Sequence, residues 1–131
     1  MKLHPLALPL GKHIVADFQG ARALHDPIAA RDALVLAAHA AGAVVLDVKL
    51  HDFGDRSGFT GVALLAESHI SIHTWPEYDY AAIDIFMCGD ADPQRSLQVL
   101  EEYFAPTSSK VNTIERGLSR DINAMLAEAT L

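Results

Sequence analysis

A single cysteine in 131 residues excludes an intramolecular disulfide framework, and a lone thiol suits a reducing cytoplasm. Basic residues are scarce: ten Lys and Arg against seventeen Asp and Glu leave a net charge of −7. Nucleic acid and anionic membranes both demand a basic surface, so neither is expected as a partner. No apolar run approaches the roughly 20 residues a membrane helix needs. Leu6 to Leu10 is apolar but short and punctuated by Pro5 and Pro9, so it reads as neither signal peptide nor span. Disorder is excluded too, since half the residues are apolar. What remains is one cytoplasmic domain covering residues 1–131, small enough that a partner would help it bury a core.

Periodicity supplies the elements. Lys12 to Phe18 sets Ile14, Ala16 and Phe18 on one face and reads as a first strand. Asp26-Pro27 is an N-cap followed by a first helical position, and Gly42 lies just past the helix end. Arg31, Asp32 and His39 share one arc of that helix, leaving a wide Ala/Leu/Val surface to bury. Ala43 to Leu50 and Phe59 to Ala66 read as strands on either side of the polar loop His51 to Gly58. Tyr80 to Cys88 alternates, with Ala81, Ile83, Ile85 and Met87 on one side and Ala82, Asp84, Phe86 and Cys88 on the other. Asp92-Pro93 repeats the helix start, ahead of a Leu97, Leu100, Phe104 stripe. Lys110 to Glu115 reads as a last strand, and the tail beyond Gly117 is weakly specified and helical in character. The order β-α-β-β-β-α-β predicts an α+β two-layer sandwich, helices on one face of a mainly antiparallel sheet. The other face is left for a partner subunit.

The chemistry concentrates between Leu65 and Glu77. That window holds a Glu67-Ser68 bond, His73 five residues on, and Trp75-Pro76-Glu77; Cys88-Gly89 follows fifteen residues past His73. A serine hydroxyl beside a carbonyl it can attack, and a histidine whose pKa lies near neutrality, are groups that an acyl shift from nitrogen to oxygen and a following proton removal would use. Each residue alone also has an ordinary reading. His69, Ser71 and His73 alternate like the polar side of a half-exposed strand, and Cys88 suits a small buried apolar position. His69 and His73, with Asp84 or Cys88, offer ligands to zinc, although Ile70-Ser71-Ile72 favours a strand over the helix that spacing suits. A non-catalytic small-molecule- or metal-binding domain is therefore the alternative from another class. Ser68 and His73 fall on opposite faces of a regular strand, so the chain must turn between them if they are to meet.

Taken together, Glu67-Ser68-His69, His73-Thr74-Trp75-Pro76-Glu77 and Cys88-Gly89 resemble the bacterial and archaeal S-adenosylmethionine decarboxylase proenzymes, over about residues 10 to 117. The resemblance implies self-cleavage between Glu67 and Ser68, into a 1–67 β chain and a 68–131 α chain. Ser68 would become a pyruvoyl cofactor that forms a Schiff base with a substrate amine and accepts electrons as carbon dioxide leaves. It further implies His73 as processing base, Cys88 as proton donor in turnover, and a second processing hydroxyl at Thr60, where the family usually carries serine. Adenosylmethionine would be the substrate, on the route to polyamines such as spermidine. Phe53 would serve its adenine and Glu77 its ribose, in a homodimer of αβ units. Two departures stand out. The loop from His51 to Gly61 lacks the family's proline and is one residue longer, and Asp79 replaces a glycine. Asp52, Asp55 and Asp79 would favour a second cationic group, which keeps ornithine or arginine as the alternative substrate.

Overall fold

Strand alternation decides the architecture, because every strand but the last has one face that must leave water. A computed structural model describes residues 9–117 and 119–129. Its elements are β1 (Gly11–Gln19), α1 (Pro27–Ala40), β2 (Val45–Asp52), β3 (Phe59–Leu65), β4 (Ser68–Trp75), a single 3-10 turn (Pro76–Tyr78), β5 (Tyr80–Cys88), α2 (Pro93–Phe104), β6 (Ser108–Arg116) and α3 (Ser119–Ala129). The six strands form one antiparallel sheet in the order β2-β3-β4-β5-β1-β6. Helices α1 and α2 cover one face, so the two-layer α+β reading holds.

The strand order expected from sequence is one strand short. Ser68 to Trp75 is a regular strand, since Ile70, Ile72 and Thr74 point into the core while His69, Ser71 and His73 point away. Its alternation of His69, Ser71 and His73 is visible in the sequence, but the expected order of elements gave this window to chemistry and did not count it as a strand. The wide apolar surface expected of α1 is only partly used. Ala30, Ala33, Leu34, Ala37 and Ala38 are buried, whereas Ile28 and Leu36 are 81% and 60% exposed. The apolar stretch Leu6 to Leu10 falls mostly outside the described residues. Among those described, no helix is long and apolar enough to cross a membrane.

The core sits between the helices and the inward face: Ile14, Ala16 and Phe18 from β1, Ile70 and Ile72 from β4, Ile83, Ile85 and Met87 from β5, with Leu97, Leu100 and Phe104 from α2. Two buried hydroxyls stitch it without leaving a lone polar group. Ser96 Oγ donates to the Ala37 carbonyl at 2.6 Å, tying α2 to α1. Thr74 Oγ1 accepts from the Phe59 amide and donates to the Leu24 carbonyl. Both helices start as expected, with the Asp26 and Asp92 carboxylates accepting first-turn amides ahead of Pro27 and Pro93. Among the described residues the opposite face of the sheet carries no layer, and His69, Ser71, His73 and Asp84 lie there.

Candidate active site

Strands β3 and β4 meet in a tight hairpin, with Leu65 paired to Ser68 and only Ala66 and Glu67 between them. Glu67 takes φ +60°, a left-handed conformation that costs a non-glycine residue about 1–3 kcal/mol. The strained residue is the one whose carbonyl precedes Ser68. Cys88, at the end of β5, grips this bond from both sides. Its backbone amide donates to Ser68 Oγ at 3.3 Å, and its thiol donates to the Glu67 carbonyl at 3.0 Å. A donor on that oxygen would stabilise the oxyanion formed as Ser68 Oγ attacks the Glu67 carbonyl carbon. Ser68 itself is buried. The sequence suggested these three residues as a group, and the fold brings them together.

The cavity beside Ser68 measures about 480 Å³ and is lined by Leu64, Leu65, Glu67, His69, Phe86, His13 and Arg116. Gly11 makes room for the Phe86 ring in that lining: a Cβ at residue 11 would meet it at 2.5 Å. Asp84 is the polar centre of the open face. Its Oδ2 accepts from Nε2 of His13 at 2.9 Å and Nε2 of His69 at 3.2 Å, while Ser71 Oγ donates to Oδ1. Partial burial works to raise the Asp84 pKa, but hydrogen bonds from Ser71, His13 and His69 outweigh it and hold the carboxyl below its ordinary range.

His73 belongs to a different group. It faces Thr60 across β3 and β4, and Thr60 Oγ1 lies 3.0 Å from its Nδ1. Trp75 packs beside it and stacks on Tyr80, whose hydroxyl donates to Asp17 at 2.5 Å. The Asp17 hydrogen bond, then burial, push the Tyr80 phenol up to about 12. With no turn inside β4, Ser68 and His73 stand about 16 Å apart, at roughly 3.3 Å per residue. The encounter that would need a bend does not occur within one chain. For the same reason His69 and His73 are about 13 Å apart and do not form a zinc pair. Among the described residues the trio that converges is instead His13, His69 and Asp84.

The residues expected to bind substrate are also dispersed. Phe53 is 59% exposed on the loop after β2, edge-on to His51 at 4.8 Å. Asp52 is used locally, its Oδ1 accepting the Gly54 amide at 3.0 Å. Glu77 and Asp79 line a separate cavity of about 670 Å³ with Arg22, His25, Asp55 and Arg56. Asp79 sits at φ +51° after the 3-10 turn, the left-handed position where a glycine would be natural. Sequence reasoning missed His13, Ser71 and Arg116 as members of the Ser68 cavity or its supporting network. For His13 and Ser71 the signal was a polar residue alternating with the apolar phase of its strand, as for His13 beside Ile14, Ala16 and Phe18; Arg116, on the wholly exposed β6, carried no such signal.

Comparison with known proteins places this geometry. The family model for S-adenosylmethionine decarboxylase matches residues 12–117. The S-adenosylmethionine decarboxylase proenzyme of Methanococcus maripaludis is 44% identical over 115 residues, covering 86% of this chain and 93% of the relative. The proenzyme of the same name from Thermomicrobium roseum is 36% identical over 113 residues, covering 86% and 97%. Among solved structures, the adenosylmethionine decarboxylase of Aquifex aeolicus superposes with a TM-score of 0.75 at 35% identity, covering 83% of this chain and 92% of that one.

Proposed function

The chain belongs to the S-adenosylmethionine decarboxylase family, and we propose that it is a self-processing, pyruvoyl-dependent decarboxylase acting on S-adenosylmethionine. The observation that carries this reading is the double grip of Cys88 on the Glu67-Ser68 bond. Ser68 Oγ attacks the Glu67 carbonyl carbon, the peptide C–N bond breaks, and an ester forms with the Ser68 nitrogen now a free amine. Strain at Glu67 is released when its carbonyl leaves the turn. Removal of the Ser68 α-proton then expels the Glu67 carboxylate, and hydrolysis of the resulting dehydroalanine releases ammonia and leaves a pyruvoyl group. That group supplies a ketone that condenses with the substrate amine and accepts the electrons freed as carbon dioxide departs. Cys88, whose thiol lies against the Glu67 carbonyl next to Ser68, donates the proton to the substrate carbon afterwards, a role its position supports. The cavity beside Ser68 suits such a group, since Leu64, Leu65 and Phe86 give it apolar walls while His13, His69 and Arg116 supply polar contacts.

The base that removes the α-proton is His73 of a second copy. Within one chain it is out of reach of Ser68, and its imidazole is already oriented by Thr60 on the same open face as the Ser68 cavity. That face also leaves Leu64, Val62, Val15 and Ile114 exposed, an apolar surface suited to self-association. Packing two open faces about a two-fold axis would set each Thr60–His73 pair over the partner's Ser68–Cys88 pair and give two equal sites. Phe53 and Glu77 would then reach the reacting centre from the partner copy, Phe53 as a surface for adenine and Glu77 for the ribose hydroxyls. Asp55 and Asp79 share their cavity with Arg22 and Arg56, two fixed cations that make it a poorer site for the distal cation of ornithine or arginine, which favours adenosylmethionine.

A trans-complementation experiment tests the assembly. His73→Ala chains folded alone should remain uncleaved. Folded together with Ser68→Ala chains, which keep His73, they should cleave, giving a 1–67 fragment on a denaturing gel. No rescue in the mixture sinks the shared site. Carbon dioxide release by cleaved protein from adenosylmethionine, ornithine and arginine, measured side by side, then identifies the substrate.

A further inference from the structure

Two cavities meet at the bond that breaks. One, of about 480 Å³, lies on the open face; a second, of about 420 Å³, lies at the end of the sheet, and the two share only Glu67 and Ser68. The phases of the strands explain the arrangement. Ser68 lies in the phase of Ile70 and Ile72, which face the helices, whereas Cys88 lies in the phase of Asp84 and Phe86 on the open face. The bond between Glu67 and Ser68 therefore spans the sheet end and is approached from both sides. Gly42, Ala43 and Val44 after α1, Ala66 in the hairpin, and Gly89 and Asp90 after β5 wall the second cavity. A Cβ at either glycine would meet no atom within 4 Å, so two stretches of the wall are bare backbone. Backbone hydrogen bonds set the frame: the Ala66 amide to the Val44 carbonyl at 2.9 Å, the Ala91 amide to the Cys88 carbonyl at 3.3 Å, and the Asp92 amide to the Ala41 carbonyl at 3.0 Å.

We propose that the sheet-end cavity is the solvent route of the site, admitting the water that completes pyruvoyl formation and releasing the ammonia. This rests on the decarboxylase reading and on its two-fold packing. That packing lays a partner over the open-face cavity, which leaves the sheet end as the way to Ser68 from solvent. After elimination the former serine is a dehydroalanine. A proton moves to its Cβ, water adds at the resulting imine carbon, and the C–N bond breaks to give a ketone and ammonia. One water enters and one ammonia leaves for every chain. Charge favours the same direction, because ammonia is protonated near neutral pH. The sheet-end cavity is lined by the carboxylates of Glu67 and Asp90 and, among the described residues, by no Lys, Arg or His, whereas Arg116 lines the open-face cavity.

Two products of maturation separate the steps, because elimination cuts the chain without water and only hydrolysis frees ammonia. Val44 and Ala66 are exposed and are not among the reacting groups, so Val44→Trp and Ala66→Trp narrow the cavity without disturbing the core. In freshly folded full-length chains of either variant, the 1–67 fragment should appear on a denaturing gel at the normal rate. Ammonia, measured in the same samples, should fall roughly tenfold behind it, since a site closed to water slows hydrolysis. The unaltered protein, Val44→Ala, and Leu36→Trp at an exposed position of α1 should release ammonia in step with cleavage. Ammonia in step with cleavage in both narrowed variants overturns the route and leaves the decarboxylase reading standing. Slower cleavage in those variants with no added lag in ammonia overturns the route as well. An unaltered protein that never cleaves overturns the reading itself, and the route with it.

Discussion

The two faces of the sheet are made by the same strands and follow different rules. On β5, Ala81, Ile83, Ile85 and Met87 point toward the helices and are buried, while Tyr80, Ala82, Asp84, Phe86 and Cys88 alternate with them on the open side. The covered face is held by volume: large aliphatic and aromatic groups with, among the described residues, no buried side-chain nitrogen or oxygen left unpaired. The open face is held by direction. Asp84 gathers two imidazoles and a hydroxyl, Thr60 orients His73, and Asp17 orients Tyr80. A face built on volume tolerates changes of chemistry poorly and serves stability. One built on hydrogen-bond direction, half exposed, can hold reactive groups because less of the fold's stability rests on each of them.

Paired substitutions on β5 put this contrast to the test. Ile85→Ala should cost about 2–5 kcal/mol in a denaturant titration, because a fully buried side chain leaves a cavity. Whatever fraction stays folded should still cleave at Ser68. A smaller loss, with cleavage impaired, would mean that the covered face shapes the site directly. One position earlier, Asp84→Asn should cost about 1.5–3 kcal/mol at neutral pH, the range for hydrogen bonds to a charged group. This gap should depend on pH in a defined direction. The Asp84 carboxyl is held below its ordinary value of 3.8 in the fold, so its contribution is complete above that value and disappears as pH falls through the lowered one. A gap between the two proteins that persists at acid pH, below that lowered value, would remove the charge from the explanation.

Tyr80→Phe should show the smallest effect, about 1 kcal/mol for one lost hydrogen bond at a partly exposed site. Here the sign with pH is reversed. The phenol is raised from 10.0 to about 12, so what it adds to stability is complete below 10.0 and fades as pH climbs through the higher value. Ultraviolet titration of the folded protein, compared with Tyr80→Phe, reads that value directly. A phenol titrating at its ordinary position would show that the Asp17 contact does not persist in solution.

Much of this molecule could be read from the order of residues alone. Asp26-Pro27 and Asp92-Pro93 declared the starts of α1 and α2, because capping is local chemistry, and Tyr80 to Cys88 announced its two faces, because a strand's period is two. The motif from Glu67 to Cys88 likewise pointed to the family, and the fold joins Ser68, Glu67 and Cys88 at the hairpin. Other matters lay beyond any local pattern. That Ser68 to Trp75 is an unbroken strand, and hence that Ser68 and His73 stand far apart in one chain, follows from its pairing with β3 and β5. The meeting of Arg116 with His13 is decided by β6 crossing the sheet to lie beside β1, a contact 103 positions apart in sequence. Caps and periodicity act within a few residues and are written in them. The partners of a side chain across a sheet depend on which strands lie next to one another, and only the folded chain determines that.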